Sequence, residues 1–158
     1  MRKRIIAQSQ SYASPLLDHG WLNVADLAEV EITSEDPAHP IESALQPGQA
    51  SGWRAAAPGK QTIRLLFMRP QQLRRIQLSF VDPDTERTQE YVLRCSSDEG
   101  QSFQDVVRQQ WNFSPRGATR EIEDHRVDLA GITVLELSIV PDITGKAAFA
   151  SLAQLRMA

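Results

Sequence analysis

The 158-residue sequence has one cysteine, no long apolar run and little excess charge of either sign. A lone Cys95 cannot form an internal disulfide, so the chain lacks the framework typical of small secreted domains. No segment approaches the roughly 20 consecutive apolar residues that span a bilayer. Behind the basic start, the apolar run of residues 5–7 is too short for an export signal. We therefore expect a cytoplasmic protein of bacterial type.

The charge balance of 17 basic and 20 acidic residues gives a net charge of −3. It excludes the broad basic field that drives non-specific nucleic-acid binding, and we expect neither a nucleic-acid nor a membrane partner. Fourteen of the 17 basic residues are arginine, which suits carboxylates, phosphates and protein interfaces. Four of them cluster around one predicted hairpin: Arg64, Arg69, Arg74 and Arg75. This cluster is a patch for an acidic protein partner or for a nucleic-acid backbone, or the arginine bias is the product of a GC-rich genome and has no functional meaning.

With 41% apolar and 23% charged residues, the composition is typical of a soluble globular protein. The length predicts one domain over residues 1–158, with residues 1–24 as an N-terminal extension that packs on it. The only helical candidate is residues 14–23, where Ser14 and Pro15 suit the N-cap and first helical positions.

Apolar and polar residues alternate in segment after segment, which predicts eight or nine antiparallel strands. A polar stretch with prolines, residues 34–52, is predicted to be a long surface loop. Turns are predicted at 69–72, 82–85, 97–100, 114–117 and 130–131. The strands between them are predicted at 25–33, 63–67, 76–80, 91–95, 103–113, 119–129, 135–139 and 148–157.

Candidates for catalysis are few. Glu121, Glu123 and His125 share one strand face and would converge on a metal or form an acid–base pair; otherwise they are a solvated face, or a histidine turned inward at a sheet edge. Cys95 alternates with apolar neighbours, which predicts an inert core thiol. The sequence has no Gly-x-Ser-x-Gly motif and no glycine-rich phosphate loop. We expect a protein that is not an enzyme and needs no cofactor.

The order of elements resembles a known family in four segments: 41–56 with Trp53, 61–65, 91–103 with its Ser-Asp-Glu-Gly turn, and 150–156. The family is that of the discoidin-like, or coagulation factor type C, galactose-binding-like domains. The resemblance implies an all-β, antiparallel jelly-roll β-sandwich. Trp53 matches the family's buried tryptophan, and Trp111 alternates in phase with the inward-facing residues of its strand. Trp21 lies either at the rim or beneath the sheet.

The resemblance also implies a non-catalytic binding module that recognises carbohydrate through loops at one end of the sandwich. Many sugar-binding members carry calcium before the conserved tryptophan, but residues 46–49 contain no carboxylate, so we expect binding without calcium. Loops 82–87, 114–117 and 141–147 are expected to meet at that end, and the opening loop to reach it. The candidate ligand-binding residues are His39, Arg54, Asp82, Asp84, Arg87, Arg116 and Asp142.

Two alternatives remain open at this stage. The loop residues are either a site for sugar hydroxyls or ordinary solvated turn residues. The protein is either a glycan-binding module or a protein–protein interaction subunit that uses the arginine-rich sheet face. For its oligomeric state we expect a monomer, or a weak homodimer formed through edge strands.

Overall fold

The computed structural model describes residues 20–46 and 51–158. Most of the predicted helix at 14–23 lies outside these residues. Two one-turn helices are present, α1 (Val24–Leu27) and α2 (Glu42–Leu45). The strands are β1 (Ala28–Ile32), β2 (Trp53–Arg54), β3 (Gln61–Val81), β4 (Arg87–Ser96), β5 (Gln104–Phe113), β6 (Arg120–Val140), β7 (Ser151–Leu152) and β8 (Gln154–Met157).

The strands form two packed layers, and β3 and β6 belong to both. The first layer has the order β1, the first half of β3, the second half of β6, β4 and β5, all antiparallel. In the second layer, the second half of β3 lies between β8 and the first half of β6. β2 and β7 pair separately as a short ladder. The structure confirms the predicted antiparallel β-sandwich.

The turns predicted at 69–72 and 130–131 are wrong, because the chain passes through both places as strand. The pairing of β3 with β6 shifts register between Leu66 and Arg75, opposite Leu129 and Ile132. Irregular pairing of this kind bends a strand without reversing it. The turn-forming residues Pro70 and Gly131 therefore mark the corner where the two strands pass from one layer to the other.

The predicted loop 34–52 also needs correction, because it contains α2. Ser43, Ala44 and Leu45 of this helix are buried. The apolar side of α2 packs on the core. The sequence did not indicate this helix, because the proline-rich stretch before it is typical of a loop.

The inward-facing residues of both layers form the core, as their alternation predicted. Trp53 is 1% exposed, and Cys95 is likewise buried. Trp111 is half-buried against the core. Trp21 is buried on the second layer, where the guanidinium carbons of Arg75 and Arg156 lie 4.6 and 4.5 Å from the centre of its ring.

Several loops meet at one end of the sandwich, as predicted. The Asp82 amide donates to the Thr119 carbonyl at 2.8 Å, which joins loop 82–86 to loop 114–119. Arg87 Nη1 donates to the Pro141 carbonyl at 2.9 Å, and the Gly59 amide donates to the Ala148 carbonyl at 3.0 Å. Segments 55–60 and 141–150 therefore lie at the same end.

Candidate binding site

An exposed aromatic ring and an exposed guanidinium group lie together at this end. Phe149 is 37% exposed, and the Arg54 guanidinium carbon lies 5.0 Å from the centre of its ring. The two residues come from segments almost a hundred positions apart. The guanidinium group thus covers part of the Phe149 ring in a cation–π contact, and another part of the ring stays open to solvent.

The short ladder of β2 and β7 holds these two residues in place. It pairs Arg54 with Ser151 and Trp53 with Leu152, and the Ala55 amide donates to the Ala150 carbonyl at 2.9 Å. Trp53 anchors the ladder in the core, and its Nε1 donates to the Ser34 carbonyl at 3.1 Å. Because the alternate residue of β2 is buried, Arg54 points outward.

His39 and Asp36 border the same group. The Arg54 amide donates to the His39 carbonyl at 3.1 Å, and the Asp36 amide donates to the Arg54 carbonyl at 2.8 Å. Both residues are half-buried. Backbone hydrogen bonds therefore place His39 and Asp36 next to Arg54, and the Asp36 carboxylate accepts from the Ala38 amide at 2.9 Å.

Two of the predicted ligand-binding residues, Arg87 and Asp142, are buried. The Arg87 side chain is 1% exposed; its Nε donates to Asp82 Oδ2 at 2.7 Å, and its guanidinium lies 4.5 Å from the Phe113 ring centre. Asp142 is 5% exposed, and its Oδ1 accepts from the amide and hydroxyl of Thr144 at 2.9 and 2.7 Å. The Arg87 side chain thus joins its loop to Pro141, while Asp142 braces its own turn and its buried Oδ2 has no partner among the described residues; that either residue contacts a ligand stays a prediction.

Asp82 shares this structural role. Its Oδ1 accepts from the amides of Asp84 and Thr85 at 3.0 and 3.1 Å, which closes the turn that the sequence predicted. Burial alone would raise the pKa of Asp82, but the hydrogen bonds from Arg87 and from these amides outweigh it and lower that pKa. The carboxylate therefore stays charged beside its arginine.

Asp84 and Arg116 are exposed at the tips of their own turns. Arg116 lies in a turn closed by the bridge between Ser114 and Ala118. Within residues 20–46 and 51–158, no hydrogen bond or ion pair links Asp84 or Arg116 to the group around Arg54. Of the seven predicted residues, only His39 and Arg54 are brought together on the surface.

The candidates for catalysis face the interior of the sandwich. His125 Nε2 and the buried Tyr91 hydroxyl form a hydrogen bond of 2.7 Å, so the histidine is the inward-turned one of the predicted alternatives. Glu121 is 1% exposed. Across the described part of the chain, no three metal-ligating side chains are grouped to hold a metal. Burial raises the pKa of the Cys95 thiol, as expected of a core residue.

The predicted arginine patch is divided between the layers. Arg64 lies on the first layer, where its Nε donates to Glu136 Oε2 at 2.6 Å. Arg75 lies on the second layer, where it pairs with Asp124 and packs on Trp21. The corner in β3 separates them, so the four arginines do not form one sheet face for a partner.

Solved structures with the same architecture include carbohydrate-binding modules. CpGH89CBM32-5 from Clostridium perfringens, in complex with GalNAc-beta-1,3-galactose, has a TM-score of 0.65 and 17% identity over 87% of this chain and 99% of its own. The family 32 carbohydrate-binding module of C. perfringens NanJ, in complex with galactose, has a TM-score of 0.65 and 12% identity over 87% and 96%. The chain has the discoidin-like, galactose-binding-like fold.

Other structures with this fold differ in what surrounds the module. A pectin-binding module has a TM-score of 0.59 and 14% identity over 83% of this chain and 89% of its own. In a Ruminococcus gnavus GH29 fucosidase the similar part is only 26% of the longer chain. No protein-family model matches the sequence, and no curated protein is similar to it in sequence. The fold therefore occurs both in separate modules and in larger proteins that include enzymes.

Sequence reasoning missed Phe149, the one large apolar residue of the Arg54 group. Nothing in the sequence marked Phe149 as outward-facing: the structure buries the two small residues beside it, Ala148 and Ala150, and leaves the larger ring 37% exposed. Asp36 had no signal either, because only its backbone hydrogen bonds to Arg54 and His39 in the folded chain bring it to the group.

Proposed function

We propose that the protein is a non-catalytic carbohydrate-binding module whose sugar site is the group of Arg54, Phe149, His39 and Asp36. The observation that carries the proposal is the exposed Phe149 ring under the Arg54 guanidinium at the loop end. Aromatic rings pack against apolar faces, and a sugar ring has such a face. The guanidinium, imidazole and carboxylate would bond its hydroxyl groups.

The comparisons support a sugar as the ligand class. Similar modules were solved with galactose and with GalNAc-beta-1,3-galactose bound. Galactose and N-acetylgalactosamine are therefore the first ligands to test. We further propose that binding needs no calcium, because the segment before Trp53 offers no carboxylate between residues 46 and 52.

Titration calorimetry of the purified protein with galactose and GalNAc, in calcium and again in chelator, tests the proposal. We expect Phe149→Ala and Arg54→Ala each to weaken binding at least tenfold, since each removes more than about 1.4 kcal/mol of contact energy. The matched controls are Met68→Ala, an apolar truncation at a residue 64% exposed near the corner, and Arg126→Ala on the second layer.

Both control variants should bind as the wild type does. A glycan array on which the protein gives no signal would contradict the proposal, as would sugar binding that survives both Phe149→Ala and Arg54→Ala. Binding that disappears in chelator would contradict calcium independence alone.

A further inference from the structure

The outer face of the first layer carries a trough that crosses all five of its strands. Two adjoining depressions of about 560 and 400 Å³ share Thr62 and Arg64. The first begins at β1 and the second ends at β5. Strands lie about 4.8 Å apart, so the trough is about 19 Å long. It is a surface separate from the Arg54 group.

A row of small residues forms the floor. The sheet register places Thr62 beside Ser138, Ser138 beside Val92 and Val92 beside Arg108. The hydroxyls of Thr62 and Ser138 lie 3.4 Å apart, and Thr33 continues the row through its hydrogen bond to the Thr62 carbonyl. Because neighbouring rows carry longer side chains, this row is the lowest part of the face.

One wall of the trough is a row of alternating charges. The register aligns, strand by strand, Glu31, Arg64, Glu136, Arg94 and Asp105. The Glu136 side chain is 3% exposed and accepts from Arg64 Nε at 2.6 Å and from Arg94 Nε and Nη2 at 2.9 and 2.7 Å. The two arginine side chains remain 44% and 38% exposed.

This arrangement buries the central acid and presents the arginines. A guanidinium group has five N–H donors, and Glu136 accepts from one nitrogen of Arg64 and from two nitrogens of Arg94. Burial alone would raise the pKa of Glu136, but the hydrogen bonds and the charges of Arg64 and Arg94 outweigh it and lower that pKa. Glu136 therefore stays ionised and orients the two arginines. Arg108, 57% exposed, adds a third guanidinium at the β5 end and pairs with Glu90 at 3.0 Å on the opposite wall.

We propose that the trough binds an oligosaccharide that carries carboxylate groups, of the uronate type. Its carboxylates would be bound by the exposed sides of Arg64, Arg94 and Arg108, a geometry that guanidinium forks favour. Its hydroxyls would meet the floor hydroxyls and Glu90. The described lining contains no aromatic ring on which a neutral sugar would stack. An acidic peptide is less suited, because the face of a paired sheet offers it no free backbone groups.

Calorimetry with tetragalacturonate, and with a neutral galactose tetrasaccharide as the comparison ligand, tests this site. We expect the acidic tetrasaccharide to bind more tightly than the neutral one and to lose affinity in high salt. Arg108→Ala and Ser138→Phe, which fills the floor, should each weaken binding at least tenfold. Arg126→Ala should change nothing, and thermal unfolding checks that Ser138→Phe folds.

Arg54→Ala separates this proposal from the proposed sugar site. It should leave tetragalacturonate binding unchanged while it removes galactose binding. The trough proposal is overturned if the wild-type protein does not bind tetragalacturonate or if the Arg108→Ala variant binds it with unchanged affinity. It is also overturned if Arg54→Ala abolishes the binding of tetragalacturonate. Tighter binding of a poly-glutamate peptide than of tetragalacturonate would also overturn it.

Discussion

Glu121 is a buried carboxyl group with an incomplete set of hydrogen bonds. Gln89 Nε2 donates to its Oε1 at 3.3 Å, while the buried Oε2 has no partner among the described residues. Burial, together with the neighbouring carboxyl group of Glu123, raises the pKa of Glu121 from 4.5 to about 8. The folded state thus keeps a proton that the unfolded state has lost. Stability should therefore fall as the pH rises from about 4.5 to about 8, the reverse of the usual behaviour of an acid.

Glu121→Gln should remove this dependence, because the amide keeps the shape of the protonated acid and carries no charge. We expect the free energy of unfolding to match wild type at pH 5 and to exceed it by roughly 1–2 kcal/mol at pH 8.5. Urea unfolding at both pH values measures the difference. The exposed Glu99→Gln is the control, and an equal gain at both pH values would show that Glu121 is not protonated in the folded protein.

The residue scale also shows why the site could only partly be predicted. The sequence indicated that charged loop residues at the end of the sandwich are important, and Asp82 and Arg87 do join those loops, while Asp142 braces its own turn. Whether a charged side chain faces solvent or the interior depends on its partners. Those of Arg87 include the Pro141 carbonyl, 54 positions away.

At the scale of the elements, two glycines have the same backbone conformation and different surroundings. Gly52 and Gly131 both have φ near +67°, which L side chains rarely adopt. A Cβ on Gly52 would lie 2.7 Å from the Leu152 carbonyl oxygen and 2.9 Å from Ala153 Cα, whereas a Cβ on Gly131 would meet nothing within 4 Å. Gly52 allows β2 to approach β7, and Gly131 only bends β6.

We expect Gly131→Ala to cost about 1 kcal/mol of stability, the strain of the left-handed conformation. Gly52→Ala should cost roughly 3 kcal/mol, because backbone atoms must also move. It should weaken galactose binding as well, since β2 carries Arg54. Chemical denaturation and calorimetry of the two variants measure this, and equal costs would contradict a close approach at Gly52.

The strand pattern itself was well predicted, and so were the turns with local causes. Gly100 has φ +89°, and Asp98 accepts hydrogen bonds from Ser96 and Ser102 within the predicted turn. The corners in β3 and β6 were misread because Pro70 and Gly131 produce the same local signal in a bend as in a reversal. Only the pairing with a second strand distinguishes the two.

At the scale of the whole molecule, β3 and β6 join the two layers covalently. Each strand has one half in each layer, and the layers share one core. Neither layer can lose its packing without exposing the buried side of the other. The sandwich should therefore unfold as one cooperative unit.

Urea unfolding followed by far-ultraviolet circular dichroism and by tryptophan fluorescence should give coincident transitions. Trp111→Phe removes the fluorophore of β5 and leaves Trp21, which packs on the second layer, together with Trp53. Its fluorescence and dichroism midpoints should still agree. Separate midpoints would show that the two layers unfold independently.

By itself the sequence determined the antiparallel strand pattern, its alternating core and the local turns, because each depends on residues that are neighbours along the chain, while the resemblance to a known family implied the jelly-roll sandwich and the buried Trp53. Tertiary structure decided which charges are exposed, which aromatic ring lies beside Arg54, and that a trough crosses the first layer. These features depend on register and on contacts between distant segments. The row of Glu31, Arg64, Glu136, Arg94 and Asp105 exists only once five strands are aligned.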